Sequence, residues 1–367
     1  MLKRMYVDNF RTLVNFEQRF GKFVLLVGEN GTGKSTAFDI LLCLKRCLVF
    51  QETLRDVFPV GDLTQWMTNP LQTFELDIVG NAGEYRYRLL VEHDRQRRLI
   101  RVKEESLHFN KEPLFIFKDG IVALYRDDFS TGPEFPMDWG RSGLAMVVKG
   151  RDNSRLCWFR QWFSRLEIVR PNPMEMLQVS ERESEKLLPS LANLPDWLRH
   201  AAVDNTRLIQ RLNDALREVL PGFDLISFQS HGEARILHVE FRTTGGGLSR
   251  IGFQQLSDGQ RMLIGLHAIW AAIGDHAPTL CLDEPDNFVA LKEIQPLLFH
   301  LHEMTETGTC QVIMISHHPR ILNHMEDEIW LFRREGDPPA HTRSFPVSRD
   351  AEGLSLADLV EAGWLME

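Results

Sequence analysis

The opening of the chain changes its hydrophobic pattern three times within fifty residues. "MYVDNF" and "VNFEQRF" alternate polar and apolar positions and predict two short strands, and "KFVLLV" is a continuous apolar run that predicts a buried one. "AFDILLCLKRCL" repeats its apolar residues at helical spacing, and the glycine-rich "GENGTGKST" before it predicts a loop. From about Phe74 to Tyr125 the period becomes two: "FELDIVG", "EYRYRLLVE", "RRLIRVKEESLHF" and "PLFIFKDGIVALY" are separated by Gly, Asn and Asp turns, which predicts an antiparallel meander. Residues 140 to 220 read as mostly helical, with "SRLCWFRQWFSRLEIV" and "LIQRLNDALREVL" the clearest amphipathic segments and "RPNPM" a break between them. No heptad repeat lasts long enough for a coiled-coil arm. "FDLISFQS" and "ARILHVEFRT" predict two more strands, with the glycines at 245 to 247 as a turn. Then "FQQLSDGQRMLIGLHAIW" passes from the polar pentapeptide Leu256 to Gln260 into a helix. "PTLCLDEPDN", a helix through "LLFHLHEM", the strand "CQVIMIS" and finally "HHPRIL" come next, and this alternation of strands and helices points to an α/β sheet.

A length of 367 residues suggests one large domain with an insertion, or two domains. Acidic residues outnumber basic ones 51 to 42, so the net charge of −9 gives no global attraction to DNA or to an anionic membrane, and any nucleic-acid surface must be a local patch. The N-terminus lacks the apolar core of a signal peptide, and no later run approaches the roughly 20 apolar residues that span a bilayer, so a cytoplasmic protein is expected. Cys43, Cys47, Cys157, Cys281 and Cys310 show no C-x-x-C pairing, and three of them sit in apolar surroundings, which suits reduced, buried thiols.

Three short stretches carry chemistry. "GENGTGKS" matches G-x-x-x-x-G-K-[ST] at Gly28, Gly33, Lys34 and Ser35, with a strand before it and a helix after. Glycines let backbone N–H groups wrap phosphates, Lys34 reaches the β and γ phosphates, and the Ser35 hydroxyl ligates Mg²⁺. "LCLDEPDN" places two acids at the end of an apolar strand: Asp283 suits a magnesium held through water, Glu284 a general base, and simple helix-start caps are the other reading. In "ISHHPRIL", His317 is the candidate donor to a γ-phosphate, whereas His318 reads as a solvated loop histidine. The helix start at Ser257, Asp258 and Gly259 leaves backbone donors free and so offers an anion site, or else a plain cap.

Taken in order, "LSDGQ", "LCLDEP" and "SHHP" resemble the signature, second acidic motif and switch-histidine loop of the ABC-type ATPases, and "LKRMYVDNFRTL" before the phosphate loop is similar to the RecF, SMC and OLD group. The resemblance covers about residues 1 to 130 and 225 to 335. It implies an ABC-ATPase-type P-loop fold of the α/β class, with a mixed sheet, an antiparallel β meander lobe and an inserted helical lobe. The divisions expected are 1–135, 136–222 and 223–367. It implies ATP and Mg²⁺ as cofactors, with Asn30, Gly31, Gly33, Lys34, Ser35 and Thr36 on the nucleotide and Arg11 at a basic position near it, although a surface arginine is the other reading. Ser257, Gly259 and Gln260 would complete the site of another molecule, giving a homodimer with ATP sandwiched between protomers. The family's magnesium-ligating glutamine has three candidates, Gln51, Gln65 and Gln72, of which Gln72 is taken because it precedes the meander. Ala290 stands where relatives carry Asp or His, which weakens any claim of signalling across the dimer.

The same resemblance implies DNA repair or phage defence. OLD-type relatives often carry a Toprim nuclease, and the fifty or so residues after "SHHP" are too few for one, so a separately encoded nuclease or toxin effector is expected. For DNA itself the candidate patches are Arg95, Arg97, Arg98, Arg101 and Lys103 on a hairpin, and Arg155, Arg160 and Arg165 on a helix with Trp158, Phe159, Trp162 and Phe163. A solvated turn explains the first equally well, and core packing explains those aromatics better than base stacking.

Overall fold

The computed structural model describes residues 1–94, 99–273, 279–316, 328–337 and 339–347. The chain divides into two units, residues 1–166 with 326–367, and residues 167–325.

In the first unit, β1 (Leu2–Asp8), β2 (Phe16–Arg19), β4 (Leu71–Gly80), β5 (Gly83–Asp94), β6 (Leu99–Phe109), β7 (Glu112–Lys118), β8 (Ile121–Tyr125) and β9 (Thr131–Pro136) form an antiparallel sheet in the order β2-β1-β4-β5-β6-β7-β8-β9. The meander is therefore longer than its period-two pattern announces. β9 escapes that pattern because "TGPEFP" is an edge strand with no buried residue. β3 (Phe23–Gly28), buried along almost its whole length, leads into α1 (Lys34–Leu48). The short helices α2 (Leu54–Val57) and α3 (Gly143–Met146) and the longer α4 (Ser154–Arg165) complete this part.

The aromatic face of α4 is core. Phe159, Trp162 and Phe163 are buried, Trp158 stacks on Tyr85 at 4.9 Å, and Gly80 lies so close to Trp158 that a Cβ there would meet the ring at 2.3 Å. These rings are thus packed against β5 and not offered to bases, as the sequence favours. Arg155 is likewise engaged, donating to Asp127 O at 2.5 Å and lying over the rings of Phe109 and Phe129. On the other patch, Arg101 pairs with Glu92 at 2.5 Å and covers Trp139, while Arg95, Arg97 and Arg98 lie outside the described residues.

One buried carboxylate ties α3 to this sheet. Glu105, on β6, accepts from Tyr87 Oη at 2.8 Å, Ser142 Oγ at 2.6 Å and the Gly143 N–H at 2.8 Å. Burial pushes its pKa up, against the pull of those donors.

The second unit contains β10 (Glu167–Val169), β11 (Val179–Ser180), α5 (Leu194–Asp204), α6 (Thr206–Val219), β12 (Phe223–His231), β13 (Ala234–Arg242), β14 (Leu248–Gly252), α7 (Asp258–Ile273), β15 (Thr279–Asp283), α8 (Leu291–Glu306) and β16 (Gln311–Ile315). β10, β15 and β16 are parallel, as an α/β unit requires. β13 pairs antiparallel with β12 on one side and with β11 and β14 on the other.

The helical expectation for 140 to 220 fails between residues 166 and 193. Pro171 and Pro173 remove donors, and the neighbouring amides bond sideways to a parallel stretch of loop, Arg170 N–H to Pro189 O at 2.7 Å and Asn172 N–H to Ser190 O at 3.0 Å. After the second unit the chain returns to the first as β17 (Glu328–Glu335), parallel to β3, and β18 (His341–Val347), antiparallel to β17. Neither of these strands is announced by the sequence pattern.

The helix α7 has a buried apolar face that includes Met262, Ile264, Leu266 and Ile269. His267 is buried with them, and neither ring nitrogen has a hydrogen-bond partner among the described residues. Burial, with His300 nearby, lowers its pKa to about 4.

These buried groups carry two expected outcomes. Glu105→Ala leaves the donors of Tyr87, Ser142 and Gly143 buried and unpaired and is expected to lower the unfolding free energy by roughly 3 kcal/mol, with Glu105→Gln losing less, as read by urea denaturation. His267 is neutral in the folded chain and titrates near the ordinary value when unfolded. Its contribution is therefore complete above about pH 6.5 and is lost as pH falls toward 4, by up to roughly 3 kcal/mol. Denaturation across that window is expected to show a shallower fall for His267→Met than for the parent protein.

Candidate functional site

The loop joining β3 to α1 is shaped by its glycines. Gly28 has φ 139°, and a Cβ there would meet Phe332 O at 2.1 Å, so no other residue fits between β3 and β17. Gly33 is left-handed at φ 98° and serves as the N-cap of α1. Lys34 comes next at the first helical position, 5% exposed, and its ammonium donates to Gly28 O at 2.7 Å and Glu29 O at 2.8 Å. The lysine thus folds back over the loop, in the position from which it can reach an anion held by the loop amides. No acidic residue lies in the first turn of α1, which leaves its N-terminal field positive. Asn30 and Gly31 are exposed at the tip, and Ser35 and Thr36 are half-buried on the first turn.

The loop is braced from the far end of the chain. Thr342 Oγ1 donates to Thr32 O at 2.8 Å, lies 2.8 Å from Thr12 Oγ1, and its N–H donates to Thr12 O at 3.0 Å. Arg334 Nε donates to Gly31 O at 3.1 Å. Thr12, Arg334 and Thr342 were not foreseen, because nothing local marks a residue whose partner is 310 positions away.

Arg11 stands beside α1 with φ 50°. Its Nε donates to Asp62 Oδ1 at 2.8 Å and its terminal nitrogen bonds Asp39 on α1. It is thereby fixed to the helix that carries Lys34. Gln72 has a different job from the metal role expected of it. It is fully buried, its Nε2 donates to Asn9 O at 3.0 Å and Asp62 O at 3.2 Å, and its Oε1 lies 2.8 Å from His93 Nε2. A carboxamide committed in this way is not presented to an ion, so Gln72 is not proposed as a metal ligand. Gln51 bonds Ala145 O at 3.2 Å, and Gln65 is exposed.

In the second unit, Asp283 closes β15 and is 3% exposed on its side chain, with Arg170 Nε on its Oδ2 at 2.5 Å. Glu284 comes next with φ 52°, a strained value for a non-glycine residue, held there by its N–H to Ile315 O at 2.9 Å. Its carboxylate accepts from Asn287 Nδ2 at 2.7 Å, and Asp286 accepts from Ser316 Oγ at 2.9 Å. An oriented carboxylate on a strained, over-determined backbone suits a general base.

The start of α7 is capped from within: Ser257 Oγ accepts from the Gln260 N–H at 3.3 Å, and Gln260 Oε1 accepts from the Ser257 N–H at 3.0 Å. Asp258 pairs with Arg261 at 2.5 Å. Gly259 is required by packing as well, since a Cβ there would stand 2.7 Å from Phe288 O. The loop after Glu284 therefore lies directly against the helix start. His317 and His318 fall outside the described residues.

Among the described residues no three His, Cys, Asp or Glu side chains gather into a metal cage. Magnesium keeps most of its water and takes one or two protein oxygens beside phosphate oxygens. The Ser35 hydroxyl and the Asp283 carboxylate are hard oxygen donors of that kind. No helix among the described residues is long and apolar enough to cross a membrane.

Residues 148–323 match the protein family described as "AAA domain, putative AbiEii toxin, Type IV TA system". Among solved structures, an SMC head bound to the C-winged helix domain of ScpA superposes with a TM-score of 0.59 at 13% identity, covering 95% of this chain and 98% of that one. An SMC head domain with an extended coiled coil, bound to the C-terminal domain of ScpA derived from Pyrococcus furiosus, gives 0.55 at 13% identity, covering 100% and 99%. No curated protein matches the sequence. The fold of the chain is thus similar to that of SMC head domains, and residues 148–323 match the AAA-domain family model.

Proposed function

We propose that this protein binds and hydrolyses ATP, and that ATP joins two copies of it. The observation that carries the reading is the loop from Gly28 to Thr36, bent by left-handed glycines at Gly31 and Gly33, with the Lys34 ammonium folded back onto the carbonyls of Gly28 and Glu29. When a nucleotide enters, Lys34 exchanges the carbonyls of Gly28 and Glu29 for phosphate oxygens. Asn30, Gly31 and Gly33 supply loop amides, Thr36 lies on the first helical turn, and Arg11 lies alongside.

Ser35 and Asp283 are the residues that would hold magnesium, which supplies neutralisation of the triphosphate charge. Glu284, oriented by Asn287, accepts a proton from the attacking water. His317 is assigned the γ-phosphate contact.

Ser257, Gly259 and Gln260 act on the nucleotide of the second copy. Ser257 is exposed, and the reciprocal Ser257–Gln260 cap can open toward an anion at little cost. Each contact made across the dimer is a charge-assisted hydrogen bond of roughly 1.5 to 3 kcal/mol, so a few of them shift a weak association by orders of magnitude. A role in DNA repair or phage defence with a separately encoded nuclease or toxin belongs to the same proposal, and the match to a family described by a toxin–antitoxin system supports the defence setting.

Sedimentation tests the dimer. Glu284→Gln protein with Mg-ATP is expected to sediment as a dimer, and the same protein with Ser257→Arg added is expected to remain a monomer. Association indifferent to both ATP and Ser257 would remove the shared site and leave a nucleotide-bound scaffold.

A further inference from the structure

Asp283 is already engaged by a cation of the chain itself. Its carboxylate is 3% exposed, and Arg170 Nε donates to Oδ2 at 2.5 Å from a side chain that is 49% exposed. A carboxylate buried to that degree needs a counter-charge, and removing one leaves it at a large cost. Here the counter-charge comes from an arginine whose side chain is half in solvent. Its backbone, in contrast, is fixed. The Arg170 N–H donates to Pro189 O at 2.7 Å, the Asn172 N–H to Ser190 O at 3.0 Å, and Pro173 O accepts from Arg261 at 2.6 Å. A change of partner is therefore confined to the side chain.

The role of Arg170 rests on the proposed role of Asp283 as a magnesium carboxylate. A dication brought to this carboxylate would stand a few ångströms from the guanidinium, where the two like charges repel. The two cations therefore compete for one acid. We propose that Arg170 is the resident counter-ion of Asp283, holding the metal carboxylate while no nucleotide is bound and withdrawing as the metal–nucleotide complex arrives. Arg170 is a positioning residue in this scheme. It balances the charge of Asp283 and keeps the carboxylate correctly turned, and it sets a threshold that a divalent ion alone does not cross, so metal and nucleotide arrive together. Sequence reasoning missed it because "RPNP" reads only as a break, and its partner lies 113 residues downstream.

The test uses the full chain and Mn²⁺ as a paramagnetic probe, titrated with and without a non-hydrolysable ATP analogue, with free Mn²⁺ read by electron paramagnetic resonance. In Arg170→Gln the Mn²⁺ affinity is expected to rise about tenfold or more, most visibly without the analogue. Arg170→Lys, which keeps the charge but loses the planar fork, is expected to lie between that variant and the parent. The melting temperature of Arg170→Gln should fall without ligand and recover with Mn²⁺ and the analogue together, whereas a purely structural arginine would lower it equally in both conditions. Unchanged or weaker Mn²⁺ binding in Arg170→Gln would overturn the proposal, and if that variant precipitates, parent-like binding in Arg170→Lys would do the same. Asp283→Asn separates the two ideas. Loss of Mn²⁺ binding there upholds Asp283 as the metal carboxylate whatever Arg170 does, and unchanged binding sinks that assignment and the competition with it.

Discussion

A lysine ammonium resting on the carbonyls of its own loop, Lys34 on Gly28 and Glu29, is the contact around which the first unit is arranged. The ammonium is thereby held at the start of α1, where the helix N-terminus adds partial positive charge, and such a strand–loop–helix turn suits an anion. The arrangement demands left-handed backbone at Gly31 and Gly33 and a bare Cα at Gly28 against Phe332 O. It also needs a support that local sequence cannot provide. Thr342 and Arg334, from the returning hairpin β17–β18, bond the carbonyls of Thr32 and Gly31, and Thr12 joins Thr342 from the other side. The buried set of Gln72, Asn9 and His93 then fixes Asp62, which with Asp39 holds Arg11 against α1.

The second unit meets a complementary constraint, the holding of three acids close together, one of them, Asp283, nearly dry. Asp283 is matched by Arg170, Glu284 is turned by Asn287 and strained at its backbone, and Asp286 is held by Ser316. The loop that carries these acids packs on Gly259, so the carboxylates and the start of α7 form one local structure.

What was legible in the sequence was what is local. The glycine loop between a strand and a helix, the helix start at Ser257 to Gly259, the acidic strand end and the period-two meander each declare themselves within a dozen or so residues as elements, and the structure gives each its expected element. The aromatic face of α4 was also readable, because helical spacing of large apolar side chains means core far more often than ligand. Within the mostly helical reading of 140 to 220 the sequence shows a break at "RPNPM" but not its extent: residues 166 to 193 are non-helical, and the sideways bonds from Arg170 and Asn172 give the chain its path there. Gln72 fitted a family position by order alone, and its actual partners, Asn9, Asp62 and His93, become neighbours only on folding. The same holds for Arg170 and for Thr342. Long-range polar pairs leave no periodic trace, so the site's supports stayed hidden while its motifs did not.

The central claim is that the Gly28 to Thr36 loop holds the triphosphate of ATP. Titration calorimetry of ATP with Mg²⁺ into the parent protein and into Lys34→Ala tests it most directly. The account predicts one nucleotide per chain for the parent and a loss of affinity of about a hundredfold or more for Lys34→Ala, since a charge-assisted contact to phosphate is removed and the loop loses the cation that orders it. Equal binding by both proteins, or none by the parent, would contradict it.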